Sequence, residues 1–328
     1  MSGQYTGAWL SSLNEASKSK AWVFYTFFFA YFRASLHTIG GYDEISTEFL
    51  RVPSNAHVKS LAKKYLPTPS GLVAQIMGQD PVLMADMTAA LVERGAPRID
   101  LNCGCPSNTV VGRGAGSSLL KTPELLYRIL KSMVNASKVP VSAKLRSGFA
   151  DTSLFKENLL AAQEAGAEFI TLHPRTKVEG YRPPANWDLI QEAKETIRIP
   201  LVGNGDILTV ADALRLLKHS ACDGLMIGRG AIRNPWIFHE IKAHFSHEKV
   251  NKSKEGIQFF LKTLLDSIEK TIDYQRAQVN KLKGIAQHLL RQTPSLEEKL
   301  KYLLRQKTTA KEFLILLEEA LLCSGVYE

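Results

Sequence analysis

The chain of 328 residues carries 41 Lys and Arg against 32 Asp and Glu, a formal charge of +9 at pH 7. Its 45% hydrophobic and 22% charged residues are ordinary for a soluble globular protein, and no stretch reaches about 18 apolar residues, which excludes a membrane-spanning helix. Four cysteines, Cys103, Cys105, Cys222 and Cys323, form no CxxC pair, which argues against a zinc site and a disulfide scaffold and for a reducing compartment such as the cytoplasm. The length suits a barrel of about 250 residues with a small appendix, and the basic excess fits either a polyanionic partner such as nucleic acid or a generic basic protein.

In chain order, the first apolar run is AWVFYTFFFAYF over Ala21–Phe32. It follows Lys18 and Lys20, as in a secretion signal, but Arg33 comes at once and no small-residue cleavage site follows, so it reads as a buried strand or helix. Beyond residue 40, short runs rich in Val, Ile and Leu predict strands at Glu44–Val52, Leu72–Met77, Arg98–Asn102, Pro140–Leu145, Glu168–His173, Pro200–Gly203 and Gly224–Ile227. Between them, helical periodicity predicts helices over Pro81–Arg94, Pro123–Val134, Leu154–Ala165, Trp187–Thr196, Val210–His219 and Pro235–Phe245. Asp80-Pro81 and Thr122-Pro123 are helix starts, and Gly95 and Gly166 stand where helices should stop. With Ala21–Phe32 as the eighth strand, the count predicts an α/β fold, a (β/α)8 TIM barrel over residues 1–246. An open doubly wound sheet is the alternative, but no GxGxxG follows the first strands. From His247 strand signals stop, and residues 247–328 predict a small all-α helical bundle. Lys281 to Lys311 hold eight Lys or Arg against two Glu, which reads either as a solvated helix face or as a surface for a polyanion.

In such a barrel, chemistry sits at the C-terminal strand ends. The residues there are Gln75, Asn102, Lys144 with Arg146, His173, Asn204, and Gly228 with Arg229. Gly203-Asn204-Gly205-Asp206 and Gly228-Arg229-Gly230-Ala231 follow the last two strands, where barrels commonly bind a phosphate through backbone N–H groups. A phosphate-bearing cofactor accounts for both loops better than two unrelated tight turns. Cys103 and Cys105 lie in a loop tightened by Gly104 and Pro106, and a neutral thiol there can donate a proton. The glycine-rich VGRGAGS over residues 111–117 then reads as a mobile cover or as a fixed irregular loop. Lys144 in the barrel mouth calls for a negative partner, either a carboxylate or an anionic cofactor edge.

Together, DLNCGCPS at 100–107, SAKLRSG at 142–148, ITLHPRT at 170–176 with Gly180-Tyr181-Arg182, GNGDI at 203–207 and MIGRGAIRNPWIF at 226–238 resemble the tRNA-dihydrouridine synthase family, from about Arg33 to the C-terminus. Thr47-Glu48-Phe49 and the helix with Lys281 and Lys283 are similar to the bacterial branch that modifies U16. The resemblance implies a flavin-dependent oxidoreductase. It implies FMN held by Gln75, Lys144, His173, Asn204, Gly205, Asp206, Gly228 and Arg229, and NADPH or NADH as reductant. Hydride would pass from the flavin to C6 of a uridine flipped out of the tRNA, with Cys105 protonating C5. Asn102 and Arg146 would hold the uracil or flavin edge; Glu48, Arg175, Lys177, Lys281, Lys283 and the helical domain would contact the tRNA. A cytoplasmic monomer without metal is expected.

One departure stands out. The family usually opens with a strand resembling APMxGVTDxxFR, and here only Phe32-Arg33 match its end, preceded by aromatic residues with no Pro, Met or Gly. Either the original N-terminus has been replaced, as after a shifted reading frame, or the flavin site is altered and FMN binding weakened. The resemblance therefore leaves two alternatives, a flavin-poor tRNA binder and another FMN barrel oxidoreductase acting on a free pyrimidine.

Overall fold

The computed structural model describes residues 22–25, 30–66, 72–247, 250, 252–290 and 296–322. Residues 21 and 26–29 of the first apolar run, Arg291 and Cys323 lie outside them.

Nine short strands form one sheet: β1 (Trp22–Tyr25), β2 (Glu44–Ile45), β3 (Leu50–Arg51), β4 (Ala74–Met77), β5 (Ile99–Cys103), β6 (Val141–Gly148), β7 (Ile170–Thr176), β8 (Leu201–Asn204) and β9 (Gly224–Ile227). Their order is β2-β1-β9-β8-β7-β6-β5-β4-β3, with parallel neighbours. β2 and β3 are two pieces of one stave: a bridge from Ser46 to Val73 joins the end of β2 to the start of the β4 stave, which closes the ring. The chain therefore forms an eight-stave (β/α)8 barrel, followed by a run of helices.

The sequence explains most of these elements. Every residue of β4, β5, β7 and β9 is buried, as strands with a packed barrel interior and an outer helical layer require. The Asp80 carboxylate accepts the Val82 and Leu83 N–H groups at 2.9 and 3.1 Å, and Pro81 opens the helix Pro81–Glu93. Gly166, at φ +96°, takes the left-handed turn that ends Phe155–Ala165.

The run expected as one strand over Ala21–Phe32 divides: β1 covers Trp22–Tyr25, and Ala30–Ile39 is a helix. Its Phe32 and Leu36, one helical turn apart, are both fully buried.

The chain separates into two compact units. The first holds residues 1–26, 43–206 and 211–226; the second holds 27–42, 207–210 and 227–328, and so begins before the boundary at 246 that composition suggests. In the second unit the helix Ala30–Ile39 packs on Lys254–Thr271, where Phe32 meets Phe260 edge-on at 5.8 Å. Helices Arg229–Arg233, Ile237–Ser246, Gln275–Leu289, Glu297–Arg305 and Ala310–Leu322 also belong to it. Among the described residues no helix is long and apolar enough to cross a membrane.

Candidate active site

A polar ladder runs across the first staves of the barrel. Near the strand starts, Arg98 donates from Nε to Glu44 Oε2 at 3.1 Å, donates to the Ser142 hydroxyl, and lies 3.7 Å from Asp100 Oδ1. Its guanidinium also sits 4.5 Å above the Phe169 ring. Ser142 Oγ donates to Asp100 Oδ1 at 2.5 Å, and Gln75 Nε2 donates to Asp100 Oδ2 at 2.7 Å. Burial raises the Asp100 pKa, with Arg98 opposing. One rung higher, Asn102 Nδ2 donates to Gln75 Oε1 at 2.9 Å. Asn102 Oδ1 then accepts two backbone bonds, from Gly104 N–H at 3.0 Å and Cys105 N–H at 2.9 Å. Gln75 and Asn102 are thus the struts that set the cysteine loop.

Cys105 is 8% exposed and packs with Met77, Val110 and Ala115, with Phe49 against the cluster. Its carbonyl accepts the Ser117 N–H at 3.1 Å. The glycine-rich loop is ordered as a short helix, Asn108–Val111, and a 3-10 turn, Gly116–Lys121. Gly116 has φ +63°, and a Cβ there would meet Val110 Cγ1 at 2.9 Å, Cys105 O at 3.0 Å and Cys105 Cβ at 3.1 Å. Gly116→Ala is expected to cost about 1–3 kcal/mol, the usual penalty for overpacking, read as a lower urea midpoint at unchanged slope.

Lys144 lies opposite Asn102 and Thr171 in the strand register. Its Nζ would touch a Cβ on Gly104, at 3.8 Å, and it makes no hydrogen bond or ion pair among the described residues. Burial, then the Arg146 guanidinium, lower its pKa to about 8 from the ordinary 10.5, while Asp100 pulls the other way. Between those values the folded chain holds fewer protons than the unfolded one, so this lysine makes stability rise as pH climbs from about 8 towards 10.5. Thermal melts over that range should show the rise in the wild type and lose it in Lys144→Met.

Arg146, nearly fully buried, donates from Nε to Gly104 O at 2.8 Å and from Nη1 to Thr176 O at 2.9 Å and Gly180 O at 2.8 Å. Its guanidinium carbon is 5.3 Å from the Tyr181 ring centre. This arginine, expected at a uracil or flavin edge, joins the cysteine loop to the loop after β7.

Arg175, expected at tRNA phosphates, is 1% exposed. It donates to Asp206 Oδ2 at 2.5 Å, to Arg182 O at 2.7 Å and, through Nη1, to His173 Nε2 at 3.1 Å. A guanidinium only donates, so His173 Nε2 accepts and its ring proton sits on Nδ1. Asp206 Oδ2 also accepts the Ala185 N–H at 2.8 Å, which leaves that carboxylate committed inside the protein. Arg175 is therefore an internal brace. Gly205 has φ +109°, and a Cβ there would meet Ala185 Cβ at 3.1 Å; its carbonyl accepts Trp187 Nε1–H at 3.0 Å, and Asn204 Nδ2 donates to Met226 O at 2.6 Å. A lysine with no hydrogen bond or ion pair among the described residues and a glycine turn of this kind fit an anionic group bearing a phosphate.

The remaining predicted residues sit elsewhere. Glu48 lies between β2 and β3, and its carbonyl accepts the Tyr65 hydroxyl. Lys177 reaches Asn108 Oδ1 at 3.2 Å. In the second unit, Gly228 precedes the short helix Arg229–Arg233, and Lys281 is exposed. Lys283 donates to Leu304 O at 2.7 Å and Gln306 O at 2.8 Å, so its ammonium closes the C-terminal end of Glu297–Arg305. Sequence reasoning missed Arg98, Glu44 and Ser142 as supports of the ladder; its only trace of them was an acidic Asp100 inside an apolar strand.

Comparison with known proteins gives the same picture. A tRNA-dihydrouridine(16) synthase of Neisseria meningitidis is 39% identical over 223 residues, 65% of this chain and 67% of that protein. Those of Shewanella oneidensis and Ralstonia nicotianae are 40% and 38% identical, over 64% and 66% of this chain and 70% of each relative. A solved 2-naphthoyl-CoA reductase complex shares the fold, with a TM-score of 0.51 at 11% identity over 68% of this chain and half of that one. The dihydrouridine synthase (Dus) profile matches residues 30–324, and the chain, with its cysteine loop set on the barrel rim, belongs to the dihydrouridine synthase family.

Proposed function

We propose that this chain is a flavin-dependent oxidoreductase that reduces the C5–C6 double bond of uridine 16 in tRNA, with NADPH or NADH as the electron source and FMN in the barrel. The observation that carries the reading is Cys105, presented on the rim by two backbone bonds to one Asn102 oxygen. Family membership and bacterial relatives named for position 16 support the reaction and the position.

FMN, when bound, supplies the hydride for C6. The protein's own work is placement and proton delivery. Cys105 Sγ gives its proton to C5 of a uridine flipped into the barrel mouth. Asn102 holds the loop that carries the thiol. Lys144, Gln75 and His173 would hold the flavin, the lysine supplying the positive charge that an anionic flavin edge calls for. Gly205 and Asp206 contribute backbone N–H groups to a phosphate, since the Asp206 carboxylate is engaged by Arg175. Asn204 completes the cofactor set in the first unit, and the family resemblance assigns Gly228 and Arg229 to the same cofactor. Glu48, Lys177 and Lys281 face the tRNA, and residues 247–328 form its helical binding part.

The test is a visible spectrum before and after adding FMN, followed by incubation with NADPH and an unmodified tRNA transcript. The expected result is a flavin spectrum and dihydrouridine at position 16 alone. Uptake of tRNA without flavin would move the reading to the tRNA-binding alternative. Reduction of free uracil in preference to tRNA would move it to a small-molecule oxidoreductase.

A further inference from the structure

A cavity of about 330 Å³ opens beside the cysteine loop, lined by Arg51, Ser54, Asn55, Gln79, Asp80 and Arg113, with Ala115 as one wall. Its residues follow β3, β4 and β5, so it lies on the same rim as Cys105, and Ala115 packs in the cluster that contains Cys105. Gln79 is seated against Gly114, whose φ of +71° and missing side chain leave its amide the space. Neither Arg51 nor Arg113 has a side-chain hydrogen bond or ion pair among the described residues. The one carboxylate in the wall, Asp80, is occupied in capping the helix Pro81–Glu93. Against that single carboxylate, which turns only Oδ1 to the helix, the cavity sets two unspent guanidinium groups and neutral polar groups, a cationic excess that suits an anion. No aromatic residue is among those lining it, so it has no platform for stacking a base.

We infer that this cavity binds the sugar-phosphate backbone of the RNA strand immediately beside the uridine delivered to Cys105, and so holds the target nucleotide in its flipped position. The inference rests on the proposed tRNA reaction. A strand that places one base against Cys105 must carry its next phosphate along the rim, and Arg51 and Arg113 are the paired cations there. A phosphate of the nicotinamide dinucleotide has the same chemistry, and the test separates the two sources.

The experiment compares wild type, Arg51→Gln, Arg113→Gln, the double variant and Lys138→Gln, an exposed lysine that precedes β6 and so lies away from the strand C-termini. Affinity for unmodified tRNA is measured by fluorescence anisotropy over a range of salt, and flavin reduction by NADPH is measured without RNA. The expected result is a roughly tenfold or greater loss of tRNA affinity in the double variant. Its log affinity against log salt should lose about one unit of slope. Lys138→Gln and flavin reduction should be unchanged, as should melting temperatures, because neither arginine is tied into the fold. Unchanged tRNA affinity and slope in the double variant would overturn the inference, as would an equal loss in Lys138→Gln. Slower flavin reduction at full tRNA affinity would assign the cavity to the dinucleotide and overturn it too. A wild-type protein that binds no tRNA would instead remove the functional reading, and this inference with it.

Discussion

Cys105→Ala should cut the single-turnover reduction of tRNA about 10²–10⁴-fold, the usual worth of a positioned general acid, and leave flavin reduction by NADPH at its wild-type rate. The split follows from the geometry. Cys105 is held by its own N–H on Asn102 and its carbonyl on Ser117, so the alanine variant keeps both backbone bonds and loses only the thiol. Cys103 cannot stand in. It lies within β5, is fully buried, and burial followed by the Asp100 charge drives its thiol pKa far up. Rapid mixing of the reduced enzyme with tRNA reads the chemical step directly. A Cys105→Ala enzyme that reduces tRNA at the wild-type rate would show that another group delivers the proton.

Asp206→Asn is expected to destabilise the protein by about 3–5 kcal/mol, because it leaves the buried Arg175 guanidinium without its counter-ion. Asparagine tolerates the left-handed backbone at this position, where φ is +54°, so the substitution isolates the charge. For a domain of this size the loss corresponds to a fall in melting temperature on the order of 10 °C. Replacing both partners, as Arg175→Met with Asp206→Asn, should recover part of it, since no unpaired charge then stays buried. A single variant that melts with the wild type would mean that Arg182 O and His173 suffice to hold the guanidinium.

The barrel was legible because its staves are apolar runs at regular spacing and its helices carry their own caps, as Asp80 and Gly166 show. Two parts were not. The stave expected over Glu44–Val52 is broken into β2 and β3, where Thr47 turns to bond the Val73 carbonyl and the Gln75 N–H, a long-range choice that no local spacing records. The aromatic run from Trp22 favours strand by propensity throughout, but Phe32 and Leu36 bury as a helical pair, with Phe32 edge-on to Phe260. Among site residues, the place of Asn102 and Cys105 at and just past the end of β5 was readable, whereas Lys144, expected at a strand end, lies inside β6, which runs on to Gly148. Partnership was not readable: Arg175 and Lys283 look like free cations in one dimension, and the structure engages them with Asp206 and a helix end.

Arg146 gives the rim a property that none of its residues has alone. Its three bonds fasten Gly104, Thr176 and Gly180 to one planar group rooted in β6, so segments distant in sequence behave as a single mechanical part. Such a part cannot be exchanged piecemeal. A chimera that imports the loop at 176–181 from another barrel, without a matching residue at 146 and a matching cysteine loop, would carry its new specificity on an unfastened hinge. A graft that keeps its fastening therefore moves three pieces together: the loop at 176–181, the residue at 146 and the cysteine loop.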